Sequence, residues 1–252
     1  MLESTASSYD IAIAIPVLGR QYHIDPLLES IHATTPNPRV VFITSTNDTS
    51  GVVEYLKKID QEVMEIESKS IRRGNKMWNF ADYPRKINHA FRNTSEPLFF
   101  MGATDIKFMP NWFELATGDI TDKHQAIGTK DGLNRSVMRG DHATHSLITR
   151  EYGERGTIDD PGCVLHEGYW HEYVDNEFCD TAKYRGAFFS SSAEVLHVNR
   201  KRDPNYSNVG VRVQQGQEIW RERRKLIPGA RKQNLGHPNV TRMRKRKHRR
   251  RI

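Results

Sequence analysis

Pro97-Leu-Phe-Phe-Met-Gly-Ala-Thr-Asp-Ile-Lys-Phe-Met-Pro-Asn-Trp112 is the stretch that decides the fold class of this chain. Pro97 to Met101 is an apolar run without alternation, the pattern of a strand buried on both faces. Gly102 interrupts it, Asp105 follows, and Pro110-Asn-Trp-Phe-Glu-Leu115 opens a helix. Just upstream, Pro84 occupies the first turn of a helix that carries Ile87, Ala90 and Phe91. The same strand-then-helix grammar recurs toward the N-terminus. Asp10-Ile-Ala-Ile-Ala-Ile-Pro16, Arg39-Val-Val-Phe-Ile43 and Val63-Met-Glu-Ile66 read as buried strands. A helix capped by Asp25 and opened by Pro26, and another over Val52–Ile59, separate them. The stretch Lys69 to Asp82 is polar and loop-like. Strands alternating with helices predict an α/β domain whose central sheet is mostly parallel and built from right-handed crossovers. In such sheets ligands gather at the carboxyl ends of the strands, here Pro16, Thr44 and Thr104-Asp105.

Beyond Asp119 the pattern is weaker. Ser146-Leu-Ile-Thr149 is expected as a strand, and Trp170 to Tyr184 as an amphipathic helix stopped by Gly186. Ala187–Phe189 and Val195–Val198 are expected as short strands, and Gln214–Leu226 as a helix after a Gly/Asn-rich loop at Asn205–Gly210 that suits a lid.

Net charge is +7 over 252 residues, and it is unevenly spread. Residues 221–252 hold fourteen Lys and Arg against one acid, so the first 220 carry 24 Lys and Arg against 30 Asp and Glu. A mildly acidic body excludes a protein that coats nucleic acid through its globular surface. Arg242 to Arg251 cannot pack, because its charges repel and nothing apolar recurs. It suits weak, salt-sensitive contact with nucleic acid or an anionic membrane, and no aromatic is interleaved for base stacking. No apolar run reaches the roughly 20 residues of a membrane span, and no secretory signal is evident, so a cytoplasmic setting is expected. Cys163 and Cys179 define neither a disulfide framework nor a zinc site.

Between Ile11 and His197 the chain resembles the family-2 nucleotide-sugar glycosyltransferases of the GT-A fold. Four places carry the resemblance. Pro16-Val-Leu-Gly-Arg20 ends the first strand. Gly102-Ala-Thr-Asp105 stands at the acidic Asp-any-Asp motif, five residues before Pro110. Asp175 lies eleven residues before Gly186, and His197 lies in Val195-Leu-His-Val198. The resemblance implies a Rossmann-like single domain over residues 10–220, after a flexible lead at 1–9. Residues 10–118 would form a nucleotide-binding half, 119–220 an acceptor-side half, and 221–252 a basic tail. It implies Mn²⁺ or Mg²⁺ as cofactor and a nucleoside diphosphate sugar as donor. Asp105 and His197 would hold the metal. Pro16, Val17, Thr44, Ser45, Lys86 and Thr104 would touch the donor, and Asp175 would be the general base of an inverting transfer. The compactness is similar to that of short members encoded by bacteria and their viruses, for which the host cytoplasm would be the setting. Two departures stand out. Ala103 replaces the first Asp of the motif, and Thr44-Ser45 stand where Asp residues usually hold the base.

The chemistry asks for these residue types. A departing diphosphate gains negative charge, which a divalent cation stabilises as a Lewis acid. Such a cation needs one or two protein ligands, since phosphates and waters complete its shell, and an imidazole ligand favours Mn²⁺ over Mg²⁺. Arg200, Lys201 and Arg202 follow the expected ligand and can add charge. The acceptor hydroxyl must lose a proton, which a carboxylate takes up. Glu177 is the second choice for that base, although two residues along a helix it faces another way. Plainer roles stand beside these: a loop acid for Asp105, a dipole-favoured helix-start acid for Asp175, and a core imidazole for His197. Arg72, Arg73 and Lys76 read as surface charge or phosphate contacts. His166 and His171 are five apart, not the four of a zinc-protease helix. His142 and His145 have no third ligand nearby in sequence, and both pairs are set aside. The alternative function is a nucleic-acid-associated protein whose α/β body has lost catalysis and whose tail is the working element.

Overall fold

The structure, a computed structural model, describes residues 9–69, 71–73, 76–78, 82–198 and 209–228. Eight strands form one sheet in the order β3-β2-β1-β6-β9-β8-β10-β7. They are β1 (Ile11–Pro16), β2 (Pro38–Ser45), β3 (Glu62–Ile66), β6 (Leu98–Met101), β7 (Ile106–Phe108), β8 (Ala126–Lys130), β9 (Ser146–Thr149) and β10 (Phe188–His197). Only β9 and β7 run against the other six, as the pairings show. The helices are α1 (Ile24–Thr34), α2 (Val52–Lys58), α3 (Tyr83–Arg92), α4 (Trp112–Gly118), α5 (Arg135–Met138), α6 (Arg150–Glu154), α7 (Val174–Tyr184) and α8 (Val209–Arg223).

Strand β1 shows why the sheet is covered on both faces. Ile11, Ile13 and Ile15 enter one core with α1, α2 and α4, while Ala12 and Ala14 enter the other with Ile87, Ala90 and Phe91 of α3. All five are at most 1 % exposed, and each buried isoleucine contributes about 1.5–3 kcal/mol. The small alanines let α3 lie close to the sheet. The opening stretch lies at the centre: Phe100 and Phe108 pack on Trp112, whose indole N–H donates to Thr35 Oγ1 at 3.0 Å.

Several expected elements differ in detail. Asp25 lies in the first turn of α1 rather than at its cap, and its carboxylate accepts from the Tyr55 hydroxyl. Part of the Lys69–Asp82 segment forms a two-stranded hairpin, β4 (Ile71–Arg73) with β5 (Lys76–Trp78). Helix α7 starts at Val174, four residues after Trp170, because Tyr173 takes a left-handed conformation (φ 71°) that no helix continues through. The two short strands expected over Ala187–Val198 are one ten-residue strand, β10, broken in register between Ser190 and Glu194. Strands β7 and β8 and helices α5 and α6 were not expected, being too short or too irregular in composition for periodicity to register.

The boundary expected after residue 220 falls inside α8. This helix docks on the segment before α7 at Gly216, where a Cβ would lie 2.2 Å from the Glu172 carbonyl oxygen. Its last residue, Arg223, is buried and donates from Nε to Glu177 at 2.7 Å and from Nη1 to Asp159 at 3.1 Å. The Arg223→Ala variant is therefore expected to leave the Glu177 carboxylate buried without its guanidinium. That costs about 3–5 kcal/mol, and urea titration against wild type reads it as a lowered midpoint at unchanged slope. A midpoint within error of wild type would show that α8 is not anchored there. Residues 229–252, Arg200–Arg202 and most of the expected lid loop lie outside the described residues. Among the described residues no helix is long and apolar enough to cross a membrane.

Candidate active site

One cleft opens at the carboxyl edge of the sheet beside β1 and β6, where the strand order reverses, the place ligands take in open α/β sheets. The end of β1 and the turn after it contribute Pro16, Val17, Leu18 and Arg20. The start of α3 brings Asp82, Tyr83 and Lys86, and the β6–β7 turn brings Ala103, Thr104 and Asp105. Opposite stand Thr144 and His145 before β9, His197 at the end of β10, His171, Glu172, Val174 and Asp175 around the start of α7, and Arg212 from α8.

The meeting of Asp105 with His197, 92 residues apart, depends on β7. That strand has three residues and pairs antiparallel with β10, Ile106 opposite His197, while the Val198 N–H donates to the Asp105 carbonyl at 3.0 Å. The Asp105 carboxylate is nearly buried and pairs with Arg20 Nη1 at 3.1 Å. Burial alone would raise its pKa, but His197, Arg20 and His145 outweigh that and hold it below the usual value. Arg20 sits at φ 61°, a conformation that costs a non-glycine residue and tends to persist where surrounding structure demands it.

His145 was set aside in sequence and belongs to this site. Its Nδ1 lies 3.1 Å from the Met101 carbonyl and its Nε2 3.2 Å from His197 Nε2. A carbonyl only accepts, so Nδ1 carries the proton. Burial, reinforced by His197, pushes this imidazole down to about 4, so it is neutral at pH 7. His142 also belongs here, for its Nε2 donates to Asp175 Oδ2 at 3.0 Å. Burial opposes charge on His142, yet Cys179 and Asp175 overcome it and raise its pKa well above the ordinary value. Burial would likewise raise Asp175, but His142 and the Asn176 N–H hold it down, so the carboxylate is ionised. Its side chain is 31 % exposed, toward the cleft.

Other expected residues divide cleanly. Lys86 reaches the cleft from a buried position, its Nζ donating to the Val17 carbonyl at 2.6 Å, and burial lowers its pKa to about 8 against the pull of Asp82 and Asp48. Pro16, Val17 and Thr104 line the cleft wall. Thr44 and Ser45 do not: both are buried inside β2, which runs through Ser45 rather than ending at Ile43. Glu177 turns away from the cleft to Arg223. Arg20 entered the sequence reading only as the last residue of the Pro16–Arg20 stretch, and Tyr83, His171 and Arg212 were not singled out there as site residues.

The donor set suits a divalent cation: an ionised carboxylate from Asp105 with the His197 imidazole beside it. Among the described residues no group of three or more His, Cys, Asp or Glu side chains is set to hold a metal ion, with Asp105 paired to Arg20. An ion here would complete its shell with phosphate and water oxygens, as Mg²⁺ and its like do at phosphate sites.

No family model and no curated protein matches the sequence. Solved structures do match. A mannosyltransferase from Pyrobaculum calidifontis, in complex with GDP-Man and Mn²⁺, superposes with a TM-score of 0.54 at 11 % identity, covering 88 % of this chain and 72 % of its own. Glucosyl-3-phosphoglycerate synthase from Mycobacterium tuberculosis, in complex with phosphoglyceric acid, superposes at 0.57 with 12 % identity, covering 86 % and 80 %. The same enzyme with Mg²⁺ and UDP gives 0.56 at 13 % identity over 86 % and 79 %. The class is thereby defined: this chain has the GT-A glycosyltransferase fold, a single α/β domain with helices on both faces of its sheet.

Proposed function

We propose that this protein transfers a sugar from a nucleoside diphosphate sugar to an acceptor hydroxyl, assisted by a divalent cation that Asp105 and His197 hold. The observation that supports this reading is the convergence on one cleft of an ionised Asp105, His197 and a separate ionised Asp175, with Lys86, Arg20 and Arg212 around them. Bound there, the cation would supply Lewis-acid stabilisation to the diphosphate. Lys86 and Arg20 place further positive charge on the β1 side of the cleft, where a diphosphate would sit over Pro16, Val17 and Thr104. Asp175, across the cleft, takes the acceptor's proton. Its low basicity is offset as the attacking hydroxyl grows more acidic, and the hydrogen bond from His142 keeps one carboxylate oxygen aimed. A single displacement with this base inverts the anomeric centre. The neighbours' complexes with Mn²⁺ or Mg²⁺ and UDP, UDP-Glc or GDP-Man favour a cation-assisted transfer from a nucleotide sugar.

Calorimetry with UDP, GDP and TDP, with and without Mn²⁺, tests the reading, together with hydrolysis of a panel of nucleotide sugars. Cation-dependent nucleotide binding is expected. Tight binding of random duplex DNA with no nucleotide binding would instead favour a nucleic-acid partner for the basic tail.

Lys86 makes this binding pH-sensitive. Its ammonium loses its proton as pH rises through about 8, so nucleoside diphosphate affinity is expected to fall across that range. Lys86→Gln should bind roughly tenfold more weakly at pH 7, the scale of one hydrogen bond to a charged group, and should lack the alkaline decline. An identical alkaline limb in both proteins would place the titrating group elsewhere.

A further inference from the structure

We propose that His145 supplies a second imidazole to the cation, so that the protein's share of the shell is Asp105, His145 and His197. This rests on the functional reading above and names a ligand it does not include. Ala103, two residues before Asp105, lines the cleft and offers no side-chain donor. His145 reaches the same cleft from the far side of β6, on the segment leading into β9, and is only 4 % exposed.

Its geometry is that of a ligand held ready. The hydrogen bond from Nδ1 to the Met101 carbonyl fixes the ring and leaves the Nε2 lone pair directed at His197. Metal-binding histidines are oriented in this way, by the other ring N–H donating to a backbone carbonyl or carboxylate. The Phe100 ring, stacked at 6.3 Å, backs the imidazole. The two Nε2 atoms are 3.2 Å apart. Neighbouring ligands on an octahedral ion with bonds of about 2.1 Å stand roughly 3.0 Å apart, so both nitrogens can bind one cation with little movement. As placed, Asp105 is turned to Arg20 and the three side chains form no ready cluster, so Asp105 would join the two imidazoles by turning its carboxylate from Arg20 to the ion, with Arg20 still lining the cleft. Two imidazoles shift the preference further from Mg²⁺ toward Mn²⁺.

Pulsed electron paramagnetic resonance on Mn²⁺ counts bound imidazoles through their nitrogen couplings, independently of activity. The full-length protein would be measured with Mn²⁺ alone, with Mn²⁺ and UDP, and with Mn²⁺ and GDP. Two imidazoles are expected in wild type and one in each of His145→Gln and His197→Gln, with Mn²⁺ affinity lowered at least about tenfold in both. One imidazole in wild type overturns the proposal, and that count stands even should a variant fail to fold. An unchanged Mn²⁺ affinity in folded His145→Gln also overturns it, while leaving the Asp105–His197 reading intact. Failure of wild type to bind Mn²⁺ under all three conditions overturns both.

Discussion

Replacement of Asp105 by alanine is expected to abolish cation-dependent nucleotide binding and to lower sugar transfer roughly a thousandfold. The cation supplies several kcal/mol of charge stabilisation, and each 1.36 kcal/mol is a factor of ten in rate. The variant should fold normally. The contact that ties the turn to β10 is the Asp105 backbone carbonyl, which accepts from the Val198 N–H and survives the substitution. The substitution removes the anionic ligand of the ion, so any residual nucleotide affinity should no longer depend on Mn²⁺. Donor hydrolysis with Mn²⁺ and in excess chelator is the measurement. Equal release of nucleoside diphosphate by wild type and variant in chelator, at the rate seen with Mn²⁺, would refute a role for Asp105 in holding the ion.

The second large effect is expected at Asp175. Asp175→Asn keeps the shape of the side chain and an oxygen to accept from the Asn176 N–H, but cannot take up a proton. Transfer should fall about 10²–10⁴-fold, the range of a general base, while Mn²⁺-dependent nucleotide affinity stays within about twofold of wild type. This separation distinguishes Asp175 from Asp105, whose loss removes both. Loss of nucleotide binding in Asp175→Asn would mean that the residue supports the donor side, and full transfer activity would move the base to another group. Glu177 is a poor substitute, since Arg223 already holds its carboxylate away from the cleft.

The two sites differ in how legible they were. Asp105 announces itself locally, because a buried apolar run ending in glycine and followed by an acid defines a strand end, and strand ends of parallel sheets carry ligands. Asp175 was legible as an acid opening a helix, and Lys86 as a cation on the helix before the central strand. His142 and His145 were visible as residues but not as members of a site. Their partners, Asp175 and His197, lie 33 and 52 positions away. Thr44 and Ser45 lie within β2 and outside the cleft lining, and a strand that continues with buried Thr and Ser looks, in sequence, like a strand that has ended.

Sequence alone determined the α/β class, the central strands, both core faces of β1 and the helices that cover them, because apolar periodicity is a local property that each segment carries by itself. Tertiary structure decided which side chains share the cleft. A three-residue strand, β7, has too few residues to show a period, yet its pairing with β10 sets Asp105 beside His197. The antiparallel insertion of β9 between β6 and β8 carries His145 to the same edge. Strand pairing is a contact between distant segments, chosen by the hydrogen bonds and packing of the whole sheet, and no single stretch of chain encodes it.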